Sequence, residues 1–254
     1  MALGHSNLQP FLDRLTSRSR LDTVEQSAIL DLPAHAAQVQ TNSDFVRLDQ
    51  KVDHACIVVE GIVGRFGQTA EGARQITALH LPGDAPDLHS VVQPKARSAL
   101  QALTTATILR VPHVALRALA ARFPAVAEAF WRDCMVDAAI LSQWVVNVGR
   151  RDARTRMAHL FCEITARHKA KLLDGKGSYR FPLTQIHLAD ATGLTAVHVN
   201  RTLKALRNEG LLDARNGSVR ILDWPALAYL GEFDPEYLQA DMQPEERLRI
   251  VGSV

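Results

Sequence analysis

A run of polar side chains between Thr195 and Lys204 is suited to hydrogen bonding with nucleic-acid bases and phosphates. It lies in the stretch GLTAVHVNRTLKALRNEGLL. Within it Val199, Leu203 and Leu206 recur at helical spacing, which leaves the polar residues on the remaining faces. The pattern predicts an amphipathic helix with one face anchored in a core and the opposite face open to a partner.

A second, shorter helix is predicted immediately before this one. Thr184 and Thr195 are each placed to cap a helix, because a threonine oxygen accepts backbone N–H groups at a helix start. Gly193 permits the tight turn between the two helices. The residues expected to face inward from the first helix are Ile186, Leu188 and Ala189. Two helices joined in this way predict a helix-turn-helix.

Short β-prone runs flank the two helices at 178–181 and 218–222. Asn216-Gly217 precedes the second run and favours a tight hairpin turn. The flanking strands extend the prediction to a winged helix-turn-helix, which reads DNA in many proteins but binds only protein in others. Charge is therefore needed to choose between these two uses.

Positive charge is concentrated around the predicted helix-turn-helix. Residues 150–220 hold 14 basic and six acidic residues, a net charge of +8, whereas the whole chain carries only +2. The rest of the chain must therefore sum to −6. Such segregation is what binding to a phosphate backbone requires.

Length and composition indicate a protein of two domains. The chain has 254 residues, of which 47% are hydrophobic and 22% charged, and no stretch approaches the roughly 20 uninterrupted apolar residues of a membrane span. The N-terminus lacks an apolar secretion core, so we expect a cytoplasmic protein. Cys56, Cys134 and Cys162 are too far apart for a CxxC site and predict reduced, packed thiols.

A long helix is predicted from Pro124, since no further proline or glycine follows before Gly149. Two apolar seams run along it, which indicates two packing partners: its own domain and a second subunit. An entirely internal core helix is the alternative. The seam assigned to a homodimer interface comprises Phe130, Cys134, Leu141, Trp144 and Val148. The other seam comprises Trp131, Met135, Ala138 and Val145.

Upstream of this helix, short strands separated by Gly, Pro, Asp or Asn turns predict a β-roll or sandwich. These strands are expected at 45–48, 54–59, 61–66, 74–80, 98–103 and 106–111.

The order of β-roll, long helix and winged helix-turn-helix resembles the family of the cyclic-AMP receptor protein and the fumarate–nitrate regulator, which are bacterial transcription factors. The resemblance is strongest in GLTAVHVNRTLKALRNEGLL and weaker in the roll. It implies an α+β fold with a cyclic-nucleotide-binding-like β-roll. The expected divisions are a sensing domain at 1–123, a dimerisation helix and hinge at 124–150, a DNA-binding domain at 151–232 and a tail at 233–254.

The resemblance also implies roles for the second helix. Where well-known members carry Arg-Glu as base readers, this chain has Ala196-Val197, so their operator is not expected. Asn200, Arg201 and Val197 become the candidate base readers, because asparagine pairs with adenine, arginine with guanine and a small apolar group with a thymine methyl. The expected phosphate contacts are Thr184, Thr195, His198 and Lys204.

In the roll, the family's phosphate-binding cassette is matched in register only. Asp87 stands where the family has glutamate, and Arg97-Ser98 follows after the family's ten-residue step. Ser142 retains one of the two polar positions that read adenine from the long helix. We therefore favour Arg97 as an ordinary surface cation over a cyclic-nucleotide ligand, and the effector stays unknown.

Other cofactors are less well supported. An iron–sulfur cluster needs a set of thiolates that the chain lacks, and none of the ten histidines lies in a haem-ligating or metal-binding motif. The usual catalytic motifs are absent, which predicts a protein that is not an enzyme. The preferred function is a dimeric regulator of promoters that acts on RNA polymerase. The alternative is a ligand- or nucleotide-sensing module without direct DNA readout.

Overall fold

The structure, a computed structural model, describes residues 8–168, 177–240 and 242–251. The chain groups into two compact units. Unit 1 comprises residues 1–67, 78–138 and 239–254, and unit 2 comprises residues 68–77 and 139–238. The four domain ranges expected from the sequence were bounded by the ends of predicted helices and strands. They remain a prediction.

The first half of the chain folds into two antiparallel β-layers. The strands are β1 (His35–Val39), β2 (Ser43–Val46), β3 (His54–Glu60), β4 (Val63–Gln68), β5 (Arg74–His80), β6 (Ala99–Ala102) and β7 (Ala106–Pro112). One sheet has the order β1-β7-β3 and the other the order β2-β6-β4-β5. Apolar side chains from both sheets, among them Cys56, Val63 and Leu100, share one core cluster. The predicted β-roll is confirmed.

Strand β1 was not predicted from the sequence. Of its five residues only Val39 is buried, so it shows no alternation of apolar and polar residues. Its pairing comes from the backbone, in antiparallel register with β7 from His35 opposite Arg110 to Val39 opposite Ala106.

Helices close the core of unit 1. They are α1 (Gln9–Thr16), α2 (Thr23–Leu30), α3 (His113–Arg122) and the start of α4 (Pro124–Arg150), with a 3-10 turn at Leu88–Val91. The Phe11 and Phe130 rings lie 6.1 Å apart in this core. Helix α4 begins at the predicted proline and has 27 residues, a length of about 40 Å.

The structure corrects the assignment of the dimer seam on α4. Phe130 is buried in the core of unit 1, and Trp144 is buried in unit 2, where its indole N–H donates to Glu163 at 2.8 Å. Side chains already buried within their own chain have no surface left for a second subunit. Of the rest of that seam, Cys134 and Val148 are half-buried, whereas Leu141 is exposed.

The seam expected to face the protein's own domain is instead the open one. Trp131 is 69% exposed, Met135 68% and Val145 62%, and Ala138 is exposed as well. Trp131, Met135 and Val145 each follow a buried or half-buried residue of the first seam by one place, a rotation of about 100° around the helix axis that turns them away from the core.

The segment that ends the described chain, 242–251, belongs to unit 1 and packs against its helices. The Arg249 guanidinium forms two hydrogen bonds with Glu25, at 2.7 and 2.9 Å. The backbone N–H of Ile250 donates to the carboxylate of Glu128 at 3.0 and 3.1 Å. The tail, for which the sequence offered no role, thus supplies partners to two buried carboxylates.

Unit 2 holds the predicted winged helix-turn-helix. Its elements are α5 (Ala153–Arg167), β8 (Tyr179–Arg180), α6 (Gln185–Thr192), α7 (Ala196–Asn208), β9 (Leu212–Arg215), β10 (Ser218–Ile221) and α8 (Trp224–Leu230), followed by a 3-10 turn at Pro235–Leu238. The strands pair in the order β8-β10-β9. Asn216 and Gly217 have φ values of 53° and 71°, as the predicted tight turn requires.

A buried carboxylate ties the end of α4 to the core of unit 2. Glu163 of α5 accepts hydrogen bonds from the Trp144 indole, from the Tyr237 hydroxyl at 3.1 Å and from the Arg167 guanidinium at 3.1 Å. Burial raises the pKa of Glu163. The three donors offset much of the cost of removing this group from water.

Candidate functional site

Helix α7 turns its predicted base readers to solvent. Val197 is 78% exposed, and Asn200 and Arg201 are also exposed. The opposite face is anchored by Val199 and Leu206, both fully buried. The sequence pattern therefore predicted the two faces of this helix correctly, and polar groups remain available to bind a partner.

Both predicted threonine caps are formed. Thr184 Oγ1 accepts from the backbone N–H of His187, and Thr195 Oγ1 accepts from the backbone N–H of His198, each at 3.2 Å. Both threonines are exposed and His198 is half-buried. The first turns of α6 and α7 present the positive ends of two helix dipoles, where anions bind favourably.

The predicted inward position of Ile186 is wrong, since this side chain is 62% exposed. Residues two apart on a helix lie about 200° apart around its axis, so Ile186 and Leu188 do not share a face. His187 occupies the buried position instead, with its ring receiving the backbone N–H of Thr184 at 3.4 Å.

An open cleft of about 460 Å³ separates α7 from the wing hairpin β9–β10. Among the residues that the structure describes, three cationic side chains line it: Lys204, Arg207 and Arg215. Asn216 and Ser218 of the wing add polar groups to the same cleft. Of these five residues, only Lys204 was selected from the sequence. The Asn-Gly turn was the available signal, because it marks the tip of the hairpin whose residues line the cleft beside α7.

Two surface ion pairs lie near the ends of these elements. The Arg215 guanidinium bonds to Asp213 at 2.5 and 2.7 Å, and this contact raises the pKa of Arg215 and lowers that of Asp213. Arg154 of α5 pairs with Glu209 at the end of α7. The basic residues Lys169, Lys171 and Lys176 lie outside the described residues.

In unit 1, Asp87 is buried and bonded to the protein backbone. Its Oδ1 accepts the N–H of Cys56 at 2.6 Å, while its Oδ2 is buried and has no hydrogen-bond partner among the described residues. Burial raises the pKa of Asp87 to about 6, against a lowering by the Cys56 N–H and the nearby Arg65 charge. Asp87 therefore makes one hydrogen bond inside the roll, and its burial disfavours the charged carboxylate.

Arg97 lies at the surface. It is 65% exposed and bonds to Asp49 at 3.3 Å. Asp87, Arg97 and Ser98 line the same small cavity, in agreement with their match to the register of the family's cassette. The cavity is small, because the centre of a water molecule can occupy only about 10 Å³ of it. Ser142 belongs to unit 2, where it lies exposed on α4.

Two family models match the chain in the order in which the domains occur. The cyclic nucleotide-binding domain model matches residues 36–123, and the Crp-like helix-turn-helix domain model matches residues 155–230. The chain belongs to the Crp/Fnr family of transcription regulators.

Members of the Crp/Fnr family resemble the chain over most of its length. It is 23% identical to the transcriptional activator protein FnrA of Stutzerimonas stutzeri, over 80% of this chain and 83% of the relative. It is 27% identical to the nitrogen fixation regulation protein FixK of Azorhizobium caulinodans, over 73% of each. The structure of FixK2 from Bradyrhizobium japonicum aligns with a TM-score of 0.71 at 26% identity, covering 78% of this chain and 98% of that one.

The residues at the Crp/Fnr cassette do not fit a cyclic nucleotide in this structure. Arg97 pairs with Asp49, Asp87 is bonded to the backbone, and the cavity between them holds about one water molecule, whereas ligand sites commonly exceed about 300 Å³. The neighbouring Arg65 bonds to Asp137 of α4 at 2.7 Å and to the carbonyl of Pro86. A protein side chain thus connects the cassette to the long helix.

The cysteines are free thiols whose surroundings oppose ionisation. Burial raises the pKa of Cys56 and Cys162, and raises that of Cys134 to about 11. Within the described residues, no group of three or more His, Cys, Asp or Glu side chains is arranged to hold a metal ion. None of the described helices is both long enough and apolar enough to cross a membrane.

Proposed function

We propose that this protein is a homodimeric, sequence-specific transcription regulator that inserts α7 into the major groove of an inverted repeat. The observation that carries the proposal is the exposed face of α7 beside a cationic cleft, held on a buried apolar face. A helix of this kind fits the major groove, where each base pair presents a distinct pattern of donors and acceptors.

We assign base reading to three exposed residues of α7. Arg201 is suited to guanine, Asn200 to adenine and Val197 to a thymine methyl. Lys204 and His198, together with the capped helix starts at Thr184 and Thr195, are assigned to phosphates. We assign four further residues that line the cleft to contacts with the DNA sugar-phosphate backbone: Arg207 of α7 and Arg215, Asn216 and Ser218 of the wing.

The open seam on α4 is assigned to the dimer. Trp131, Met135, Ala138 and Val145 recur at steps of four, three and seven residues, the period of a coiled coil. A second copy of the same seam is the self-complementary occupant that such a period favours. In a two-fold dimer the paired recognition helices reach successive major grooves about 34 Å apart.

The family points to RNA polymerase as the partner at the promoter, and hence to action in the cytoplasm. We leave the effector unnamed because the cassette residues are engaged with protein groups. The competing function, a sensing module without DNA readout, predicts that the cationic face binds no duplex.

Selection from a pool of random duplexes tests the proposal, followed by titration of the selected duplex at several salt concentrations. We expect an inverted repeat with half-site centres about 10 base pairs apart. Affinity should fall steeply and linearly on a log–log plot against salt, because bound phosphates release counterions. Failure to enrich any sequence, together with no salt-dependent duplex binding, would favour the sensing module.

A further inference from the structure

The end of α6 is held by side chains that lie far away in sequence. Arg74, the first residue of β5 in the β4–β5 hairpin, donates from Nε to a carboxylate oxygen of Asp190 at 2.7 Å. Its neighbour Gln75 donates from its amide to the carbonyl of Ala191 at 3.3 Å. Residues 68–77 belong to the same compact unit as the winged helix-turn-helix, so both contacts are internal to unit 2.

The turn that follows is held from another direction. Arg156 of α5 donates to the carbonyl of Thr192 at 2.9 Å and, through two other nitrogens, to the carbonyl of Arg151 at 2.9 and 3.1 Å. Gly193 turns the chain with a φ of 64°. The last carbonyls of a helix have no partners within it, and here side chains from the hairpin and from α5 supply them.

The positive charge of Arg74 also stabilises the carboxylate of Asp190 at the C-terminal end of α6. Asp190 lies in the last turn of α6, where the helix dipole already places partial negative charge, so a carboxylate is disfavoured there. The guanidinium of Arg74 offsets that repulsion. Both side chains are only about one fifth exposed, at 22% and 21%, which makes their attraction stronger than that of a fully solvated pair.

The hairpin tip is a well-defined platform for this contact. Thr69 and Ala73 are joined by a 2.9 Å backbone hydrogen bond, and the N–H of Gly72 donates to the carbonyl of Thr69 at 3.0 Å. Gly72 has a φ of 87°, which glycine adopts without strain. Arg74 therefore extends from a closed turn.

We propose that Arg74 is a positioning residue for sequence readout: through Asp190 it fixes the turn that sets the direction of α7, and it touches no DNA. The inference rests on the proposed DNA-binding function and adds a specificity-determining residue outside the helix-turn-helix. Since the Arg74 side chain is paired with Asp190 and only 22% exposed, we expect its removal to leave the number of phosphate contacts unchanged.

The test measures affinities of the full-length protein for the selected duplex and for a scrambled duplex over a range of salt. For Arg74→Ala we expect about five- to tenfold weaker binding to the selected duplex, which corresponds to about 1.0–1.4 kcal/mol. Binding to the scrambled duplex and the salt slope should both stay unchanged. Lys204→Ala is the matched control: it should weaken binding to both duplexes and reduce the slope by about one.

A charge exchange separates positioning from loss of folding. The double variant Arg74→Asp with Asp190→Arg restores the pair in reverse and should recover most of the specific affinity. Three results would overturn the proposal: a reduced salt slope for Arg74→Ala, unchanged or tighter specific binding, or no recovery in the exchange. If the wild-type protein itself binds no duplex, the proposed function is wrong. If the wild type binds the selected duplex and Arg74→Ala binds it equally well, only the inference about Arg74 is wrong.

Discussion

The cassette of unit 1 and the recognition face of unit 2 use polar side chains in opposite ways. In unit 1, Asp87 bonds to a backbone N–H, and Arg65 bridges Pro86 and Asp137. In unit 2, Asn200 and Arg201 are exposed to solvent. The polar groups of unit 2 are open to solvent, whereas the Asp87 and Arg65 contacts of unit 1 are made within the protein, so the contrast favours unit 2 as the part that contacts DNA.

The largest expected effect comes from the outward apolar face of α4. Trp131→Asp should convert the dimer to a monomer in sedimentation, because it introduces a charge into the proposed seam. Loss of two-site binding should weaken affinity for the inverted repeat by about 100-fold or more. Val114→Asp is a matched control, since Val114 is 68% exposed on α3 and should leave the dimer intact. A stable Trp131→Asp dimer would show that the seam lies elsewhere.

Next in size is the removal of one base reader. Arg201→Ala should reduce discrimination between the selected and scrambled duplexes by about 1–3 kcal/mol, the range for a bidentate arginine–guanine contact. Equilibrium binding by fluorescence anisotropy measures it. Arg47→Ala, which removes an exposed arginine from unit 1, should have no such effect. An equal loss of discrimination between the two duplexes in Arg201→Ala and Arg47→Ala would contradict the assignment of base reading to unit 2.

The inward polar groups of unit 1 predict a pH effect on stability. The pKa of Asp87 is about 6 in the folded protein and 3.8 for the ordinary group, so the folded state keeps a proton that the unfolded chain releases. Stability from this group is therefore lost as the pH rises from about 4 to 6. Asp87→Asn should be more stable than wild type at pH 7 by about 1–3 kcal/mol.

Denaturant unfolding between pH 4 and 7 measures this difference. We expect the advantage of Asp87→Asn to shrink as the pH falls towards 4. Glu71→Gln, a change at an exposed residue, supplies the background pH dependence. An advantage that is constant across this range would contradict a raised pKa at Asp87.

The smallest expected effect is at the cassette arginine. Arg97→Ala should change stability by less than about 0.5 kcal/mol, as surface substitutions usually do, and should leave DNA affinity unchanged. Cyclic AMP should not raise the melting temperature of either form. If cyclic AMP raised the melting temperature of the wild type but not that of Arg97→Ala, the cassette would be a functional ligand site, and the contrast between unit 1 and unit 2 would be wrong.

Local rules predicted the DNA-binding unit well. Thr184 and Thr195 act as caps and Gly193 as the turn because each depends on a few neighbouring residues. Ile186 faces solvent because it lies two residues, or about 200° around the helix axis, from the buried Leu188, although both residues are apolar. His187 took the inward position because the cap gives its ring a backbone partner.

Contacts between residues far apart in sequence could not be predicted from local rules. Phe130 and Trp131 are adjacent and both apolar, so periodicity shows two seams without showing which one the protein's own core covers. The contact of Arg74 with Asp190 joins residues 116 positions apart, and the docking of 242–251 on unit 1 is similarly remote. Neither leaves a repeating pattern in the sequence.

The central claim is that α7 reads bases in the major groove, and protection of guanine N7 from dimethyl sulfate tests it most directly. On the selected inverted repeat, the wild-type dimer should protect one or more guanines in each half-site, and Arg201→Ala should lose that protection while it still binds at low salt. Protection that is absent from wild type, or that persists in the variant at full strength, would contradict the assignment of α7 and Arg201.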